Sequence, residues 1–254
     1  MEPIQVAVVN QSSRDDEDVA RGVAALQKQI SEDFAPVWHM DARLQLVRKD
    51  CAAERRPNAW GLILLDQEGD ARRLGYHDLT SSGLPLSKVF VNRIGKGRDW
   101  THTASHELLE MLADPDINLA AYSRPDALTQ FMYAREVCDP CAAYEDGYEV
   151  LERWVSDFTF PAWFQPDALT RFKNPTTRTR FDERGLIKAP FELRPGGYIG
   201  VFDSSISAWR MLTSTDGPNG GTGEVDEPAD VGSRMERRST ARNRWLTSDY
   251  SWGP

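Results

Sequence analysis

The sequence predicts an α+β protein with a mixed, twisted sheet, one backing helix and a second helix that carries the most informative motif, followed by a less regular C-terminal half. Two short apolar runs, 4–9 and 60–65, have the length and composition of buried strands. Between them, Val19, Leu26 and Ile30 recur at the spacing of an amphipathic helix. Strand and helix patterns are therefore mixed along one chain, which is typical of this fold class.

The first elements follow in a clear order. The strand at 4–9 leads into a helix whose start is marked by Asp15 and Asp16, because a carboxylate at this position accepts hydrogen bonds from the first backbone N–H groups. The next segment, 37–47, alternates loosely between apolar and polar residues. It is predicted to form the second strand.

Two further strands and a second helix complete this half. The continuous apolar run 60–65 and the run 89–94 are predicted as strands. A glycine-containing break follows, after which Asp99 or Thr101 can cap the second helix. The predicted order is therefore strand, helix, three strands and a helix.

The second helix carries the most informative motif of the chain, His-Glu-x-x-Glu at 106–110. Residues four apart lie on one helix face, about 6 Å apart along the axis, so His106 and Glu110 can bind one metal ion. Glu107 is rotated by about 100° from His106, where it can act as general base on a water activated by the metal. The spacing predicts His106 and Glu110 as ligands and Glu107 as the catalytic residue.

His102 offers an alternative, because it also lies four residues from His106. A straight helix separates residues eight apart by about 12 Å, so His102, His106 and Glu110 do not easily bind one ion. We favour His106 with Glu110, which leaves His102 to orient a ligand, contact substrate or remain an ordinary surface histidine. A further alternative is that Glu107 and Glu110 belong to a solvated helix face without a metal.

The motif and the order of elements before it resemble those of zincin metallopeptidases, whose helical signature is His-Glu-x-x-His. Residues 1–115 resemble a zincin N-terminal half, and residues 84–91 resemble the edge strand beside the substrate cleft. The chain also resembles a group of uncharacterised bacterial and phage-associated sequences regarded as zinc metallopeptidases, with a His-Glu-x-x-Glu active-site helix. This second resemblance rests on the segments 106–110, 114–115, 136–139, 155–158, 161–164 and 195–198.

The resemblance implies a third metal ligand downstream, because a catalytic zinc commonly has three protein ligands and an open position. Glu136 is the first choice, with Asp139 as a carboxylate that orients His106 or as an alternative ligand. Asp116 is a further alternative, at the spacing that another zincin group uses. Zinc is the expected metal, although carboxylate-rich sites also suit manganese or calcium.

Composition limits the partners and the location. Thirty basic and thirty-nine acidic residues give a formal charge of −9, which argues against a general binder of nucleic acids or anionic membranes. The N-terminus does not resemble a secretory signal, and no apolar stretch approaches transmembrane length. Three cysteines suit a reducing compartment. A cytoplasmic protein is expected, with a virion or another assembly as the alternative.

The chain is predicted to have three parts: 1–115, which the resemblance marks as the zincin-like N-terminal part, 116–213, and 214–254, where the composition changes. The last part begins with a stretch rich in Gly, Asp, Glu, Pro and Thr, which predicts a flexible linker. Its end, 233–254, combines several arginines with aromatic residues. Such a composition is typical of a docking segment, through which copies of the protein or a larger assembly could associate.

Together, the motif and the resemblance predict a metal-dependent (zinc) hydrolase, specifically a peptidase acting on peptides or proteins. The alternative belongs to another class. It is a non-catalytic structural or assembly protein, for example a phage or particle component, that keeps a zincin-like fold and docks through its tail.

Overall fold

The structure is a computed structural model that describes residues 3–49, 58–67, 74–124, 130–168 and 179–214. These residues form a mixed α+β protein that divides into two compact units. The first unit comprises the described residues up to Asp116 together with Gly147–Ser156, and the second comprises Ile117–Asp146 and the described residues from Asp157 onwards. Residues 215–254 of the predicted tail lie outside the described part.

The strands are, in chain order, β1 (Ile4–Asn10), β2 (Ala42–Val47), β3 (Trp60–Leu65), β4 (Gly75–Leu79), β5 (Pro85–Phe90), β6 (Ala120–Ser123), β7 (Phe131–Ala134), β8 (Tyr148–Val150), β9 (Arg153–Val155), β10 (Tyr198–Asp203) and β11 (Ala208–Thr213). The α-helices are α1 (Asp16–Lys28), α2 (Ala35–Trp38) and α3 (Trp100–Ala113). In the described part of the chain, no helix has the length and apolar character needed to cross a membrane.

The first unit is built on a five-stranded sheet with the strand order β2-β1-β3-β5-β4. Four of its strands are parallel, and β4 pairs antiparallel with β5. The prediction that residues 84–91 form an edge strand is therefore wrong, because β5 pairs with β3 on one side and with β4 on the other. The strand predicted at 89–94 also ends earlier, since Val91–Arg93 forms a 3-10 turn.

Helix α1 begins as predicted, with the Asp15 carboxylate accepting a hydrogen bond from the Glu17 backbone N–H at 2.6 Å. The helix continues through a π-helical turn into α2, so the strand predicted at 37–47 starts only at Ala42. Pro36 lies in the first turn of α2, where its fixed φ angle suits a helix. His39 then ends α2 in the left-handed conformation, with φ of 57°.

Helix α3 is capped by Asp99, whose carboxylate accepts a hydrogen bond from the Thr101 backbone N–H at 3.3 Å. It ends at Ala113, because Pro115 disfavours helical geometry at the preceding residue, Asp114. Every residue of α3 is buried, as expected for a helix enclosed within a domain rather than lying on its surface.

Helices α1 and α3 pack together through Gly22 and Trp100. A Cβ atom at Gly22 would lie 2.3 Å from the Trp100 ring, so only glycine fits at this position. The Trp100 indole N–H donates a hydrogen bond to Asp18 at 3.2 Å. Arg153 of β9 forms ion pairs with both Asp18 and Asp99. These contacts tie the start of α3 to α1 and to the β8–β9 hairpin.

The second unit contains a four-stranded antiparallel sheet in the order β11-β10-β7-β6, which the sequence did not predict. Its core includes Tyr133, whose ring stacks on Phe191 with centroids 4.2 Å apart and meets the edge of Trp163 at 6.2 Å. Buried carboxylates Asp157 and Asp182 also belong to this unit.

Candidate metal centre of helix α3 and strand β4

Helix α3, in the first unit, carries the three motif residues, and all three are buried. Their exposed fractions are 9% for His106, 6% for Glu107 and 0% for Glu110. The His106 Nε2 atom lies 3.4 Å from the Glu110 Oε2 atom, as one turn of helix allows. Because both glutamates are buried, the alternative of a solvated helix face is wrong.

His77 of β4 joins this group, although the sequence analysis did not name it. Its side chain is 1% exposed. The His77 Nδ1 atom lies 3.3 Å from the Glu107 Oε2 atom and 3.5 Å from the Glu110 Oε2 atom. One ligand atom from each of His77, Glu107 and Glu110 can be chosen so that all three lie within 4.8 Å of one another.

The strand register explains why His77 points at α3. His77 pairs directly with Ser87 of β5, and directly opposed residues project from the same face of a sheet. The Ser87 hydroxyl donates a hydrogen bond to the backbone carbonyl of Glu107 at 3.2 Å. The face that carries Ser87 and His77 is therefore the face that α3 covers.

Gly75, two residues before His77 on β4, leaves space for the Glu107 side chain. A Cβ atom at Gly75 would lie 3.0 Å from the Glu107 Cγ atom and 2.9 Å from the Lys88 carbonyl oxygen. Both separations are closer than ordinary van der Waals contact. The absence of a side chain at Gly75 therefore allows Glu107 to pass beside β4.

Each of the three nitrogen–oxygen distances suits a pair of metal ligands better than a direct ion pair. Charge-assisted hydrogen bonds between nitrogen and carboxylate oxygen are usually about 2.7–2.9 Å long, whereas the three distances here are 3.3, 3.4 and 3.5 Å. Ligand atoms about 2.0–2.1 Å from a tetrahedral ion lie about 3.3–3.4 Å apart. The residues of the first unit could thus hold a metal ion without large rearrangement.

Charge and donor chemistry agree with this interpretation. Glu107 and Glu110 place two carboxyl groups in the protein interior, and burial of charge is costly unless an opposite charge compensates for it. Imidazole nitrogen together with carboxylate oxygen is a common donor set for zinc and related divalent metals. A divalent cation would satisfy both requirements.

His102 is not a surface histidine, so that alternative is wrong. Its side chain is buried one turn before His106, and a Cβ atom at Gly147 would lie 3.0 Å from its Cδ2 atom. Burial, assisted by the nearby charges of His106 and Arg98, lowers the pKa of His102 to about 3. His102 is therefore neutral at physiological pH and packs against the segment that leads into β8.

The downstream candidates belong to segments of the chain that follow α3. Glu136 and Asp139 are buried residues of the second unit. Glu136 lies two residues after the end of β7, and Asp139 begins a 3-10 turn. Asp116 is half-buried in the turn after α3. The roles of Glu136 as third ligand, and of Asp139 and Asp116 as its alternatives, stay predictions of the sequence.

A signal for His77 was present in the sequence but weak. The chain has only four histidines, so each is informative. The residues after β4 include Ser81, Ser82 and Gly83, which are typical of a hairpin turn, and Gly83 has a φ of +79°. A hairpin prediction would have paired the strand that carries His77 with β5.

Comparison with known proteins gives no relative from which a role could be transferred: no protein-family model, curated protein or solved structure matches this chain. The case for function therefore depends on the chain's own residues.

Proposed function

We propose that this protein is a zincin-like, metal-dependent hydrolase that uses zinc to cleave peptides. The observation that carries the proposal is the position of Glu107. It follows His106 on a buried helix, beside the His106–Glu110 pair, and lies 3.3 Å from an imidazole nitrogen of His77. A buried carboxylate beside a potential metal site is the arrangement that metal-assisted hydrolysis requires.

In this proposal His106 and Glu110 hold the metal, and a bound zinc supplies Lewis acidity toward the scissile carbonyl and the attacking water. Glu107 accepts a proton from that water on a carboxylate oxygen and passes it to the leaving amine. His77 contacts the Glu107 carboxylate at Oε2 and so restricts its orientation. His102, which is neutral, lies in the first turn of α3 and packs against the segment that leads into β8.

The position of β4 supports an extended peptide as substrate. Within the described residues β4 is the outermost strand beside β5, and it carries His77. An extended peptide can add to such a strand through backbone hydrogen bonds, which would place its carbonyl groups near the cluster. In this proposal β4, rather than residues 84–91, is the edge strand beside the substrate cleft.

The test is hydrolysis of a mixed peptide library by the full-length chain loaded with zinc. We expect Glu107→Gln to lower kcat/KM by about 100-fold or more, which is the usual contribution of a general base. His39→Asn is the matched control and should cleave like the wild type, because His39 lies in the turn after α2 and Asn tolerates its left-handed conformation. Absence of cleavage by the loaded wild type, or full activity of Glu107→Gln, would refute the proposal and favour a non-catalytic assembly protein.

A further inference from the structure

We propose that His77, Glu107 and Glu110 form a second cation site, which shares Glu110 with the His106–Glu110 pair and inhibits the enzyme when it is filled. The site itself is inferred from the geometry of the first unit. Its inhibitory effect rests on the proposed function, because inhibition requires Glu107 to be the general base.

The three residues form a complete set of protein ligands within one compact unit. Their ligand atoms lie within 4.8 Å of one another, and the residues are between 0% and 6% exposed. The shorter distances, 3.3 Å from His77 Nδ1 to Glu107 Oε2 and 3.5 Å to Glu110 Oε2, are close to the spacing of ligands around a tetrahedral ion. Three protein ligands and one open position are sufficient for zinc.

Glu110 connects this site to the motif pair. The same oxygen, Oε2, lies 3.5 Å from the His77 nitrogen and 3.4 Å from the His106 nitrogen. A carboxylate can bridge two cations through its oxygens, as in two-metal hydrolases. One glutamate can therefore contribute to both positions, with His77 and His106 as the separate imidazole ligands.

The rigid placement of the three residues favours a built site over a chance cluster. His77 comes from β4, whereas Glu107 and Glu110 come from α3, and the Ser87 hydroxyl bonds the backbone of α3 next to His77. Gly75 allows the Glu107 side chain to approach the strand. The positions of the ligands are thus fixed by the sheet and the helix rather than by a loop.

The mixed donor set predicts which cation binds. One imidazole and two carboxylates suit zinc, cobalt or manganese, whereas calcium and magnesium prefer sites made of oxygen ligands alone. Filling the site would occupy the carboxylate of Glu107. A carboxylate bound to a cation is a poor proton acceptor, so excess zinc should slow hydrolysis after the first equivalent has activated it.

The test is calorimetric titration of the metal-depleted, full-length protein with zinc. The wild type should show two binding events. His77→Asn should weaken one of them at least about tenfold and leave the other unchanged, because it removes a ligand from one position only. Glu107→Gln should lose the same event while keeping the side-chain volume, and so provides a second variant if His77→Asn does not fold. His106→Asn should retain the event that His77→Asn loses, and His39→Asn should match the wild type.

The proposal is overturned if both His77→Asn and Glu107→Gln bind zinc with wild-type stoichiometry and affinity. A single wild-type event that only His106→Asn removes would overturn it equally. The activity measurement separates the two proposals: hydrolysis by the wild type should rise and then fall with added zinc. Hydrolysis by His77→Asn should reach a lower maximum, because His77 orients Glu107, and should stay at that maximum as more zinc is added. If no peptide is cleaved, the proposed function fails, whereas the titration still decides whether the second site exists.

Discussion

Gly75 has no side chain and so leaves room for Glu107, the candidate general base. We expect Gly75→Ala to push Glu107 away from β4, because the added Cβ atom would lie 3.0 Å from Glu107 Cγ and 2.9 Å from a backbone oxygen. Overpacking of this kind costs about 1–3 kcal/mol of folding free energy. Zinc affinity and any hydrolysis should fall as well, which calorimetry and a peptide assay would measure.

Gly95→Ala is the matched control for this change. The nearest atom to a Cβ at Gly95 is Arg98 Cδ at 4.0 Å, and the glycine does not need a positive φ angle. The control should therefore keep wild-type stability and zinc affinity. Equal behaviour of the two variants would show that the contact at Gly75 does not position Glu107.

The buried Asp157 carboxyl group should make the stability of the second unit depend on pH. Burial, together with the nearby Asp182 carboxylate, raises the pKa of Asp157 to about 9 from its ordinary value of 3.8. Asp157 Oδ1 accepts hydrogen bonds from the backbone N–H groups of Phe158 and Arg184, at 2.8 and 3.1 Å. The protonated carboxyl can then donate to Asp182.

The sign of the effect follows from proton binding. Between about pH 4 and pH 9 the folded chain holds a proton on Asp157 that the unfolded chain releases, so the free energy of unfolding falls as pH rises, by at most about 1.4 kcal/mol per pH unit. Asp157→Asn keeps a donor toward Asp182 without needing this proton. In urea unfolding measured from pH 4 to pH 9, this variant should show a flatter pH dependence and be more stable than the wild type at pH 8.

Asp182→Asn serves as the comparison for Asp157→Asn. Both Asp182 oxygens accept backbone N–H groups, from Leu186 at 2.7 Å and Ile187 at 3.1 Å. An amide can replace only one of these acceptors, so Asp182→Asn should be destabilising at every pH. If the free energy of unfolding of Asp157→Asn depended on pH as strongly as that of the wild type, the proton responsible would not be on Asp157.

The start of α3 depends on Asp99, which caps the helix and pairs with Arg153. Asp99→Ala should lower the free energy of unfolding by about 0.5–2 kcal/mol, the usual cost of losing an N-cap. Asp99→Asn retains a capping oxygen but loses the negative charge, so its loss should be smaller. Urea unfolding of the wild type, Asp99→Ala and Asp99→Asn would test this order. Equal losses of unfolding free energy in the two variants would assign the effect to the ion pair rather than to the cap.

The elements that were predicted correctly have strong local signals. β1 and β3 are short apolar runs, and α1 and α3 combine periodic apolar residues with aspartate caps. β4 was missed because its sequence, Gly-Tyr-His-Asp-Leu, contains two residue types that strands disfavour, Gly and Asp. Its pairing with β5, rather than its own propensity, makes it a strand.

Within the candidate site, the sequence predicted only the contact between residues close together in the chain. The approach of His106 to Glu110 follows from helix geometry alone, since one turn brings residues four apart onto one face. His77 lies 30 residues from Glu107, and its approach depends on the antiparallel register of β4 and β5. No periodicity within one element contains that information.

At the level of the molecule, the four clustered side chains all belong to the first unit. A cation that binds only the folded state raises stability by RT ln(1 + [L]/Kd), which is about 2.7 kcal/mol at one hundred times Kd. We therefore expect zinc to raise the unfolding midpoint of the metal-depleted protein, and EDTA to reverse the increase. Glu110→Gln should abolish the response, because Glu110 lies close to both histidines.

Calcium provides the control for this stabilisation. A site with imidazole ligands should discriminate against it, so calcium at the same concentration should leave the midpoint unchanged. An equal increase with both cations, or an unchanged response in Glu110→Gln, would place the stabilising cation outside the cluster.

Elemental analysis of the purified full-length protein beside Glu110→Ala would decide whether the cluster is a metal centre. We expect at least about one zinc per wild-type chain after zinc loading and dialysis, and a large loss in the variant, because Glu110 is common to both proposed positions. A wild-type protein that retains no metal after zinc loading, or a Glu110→Ala variant that retains as much as the wild type, would contradict a metal centre at these residues.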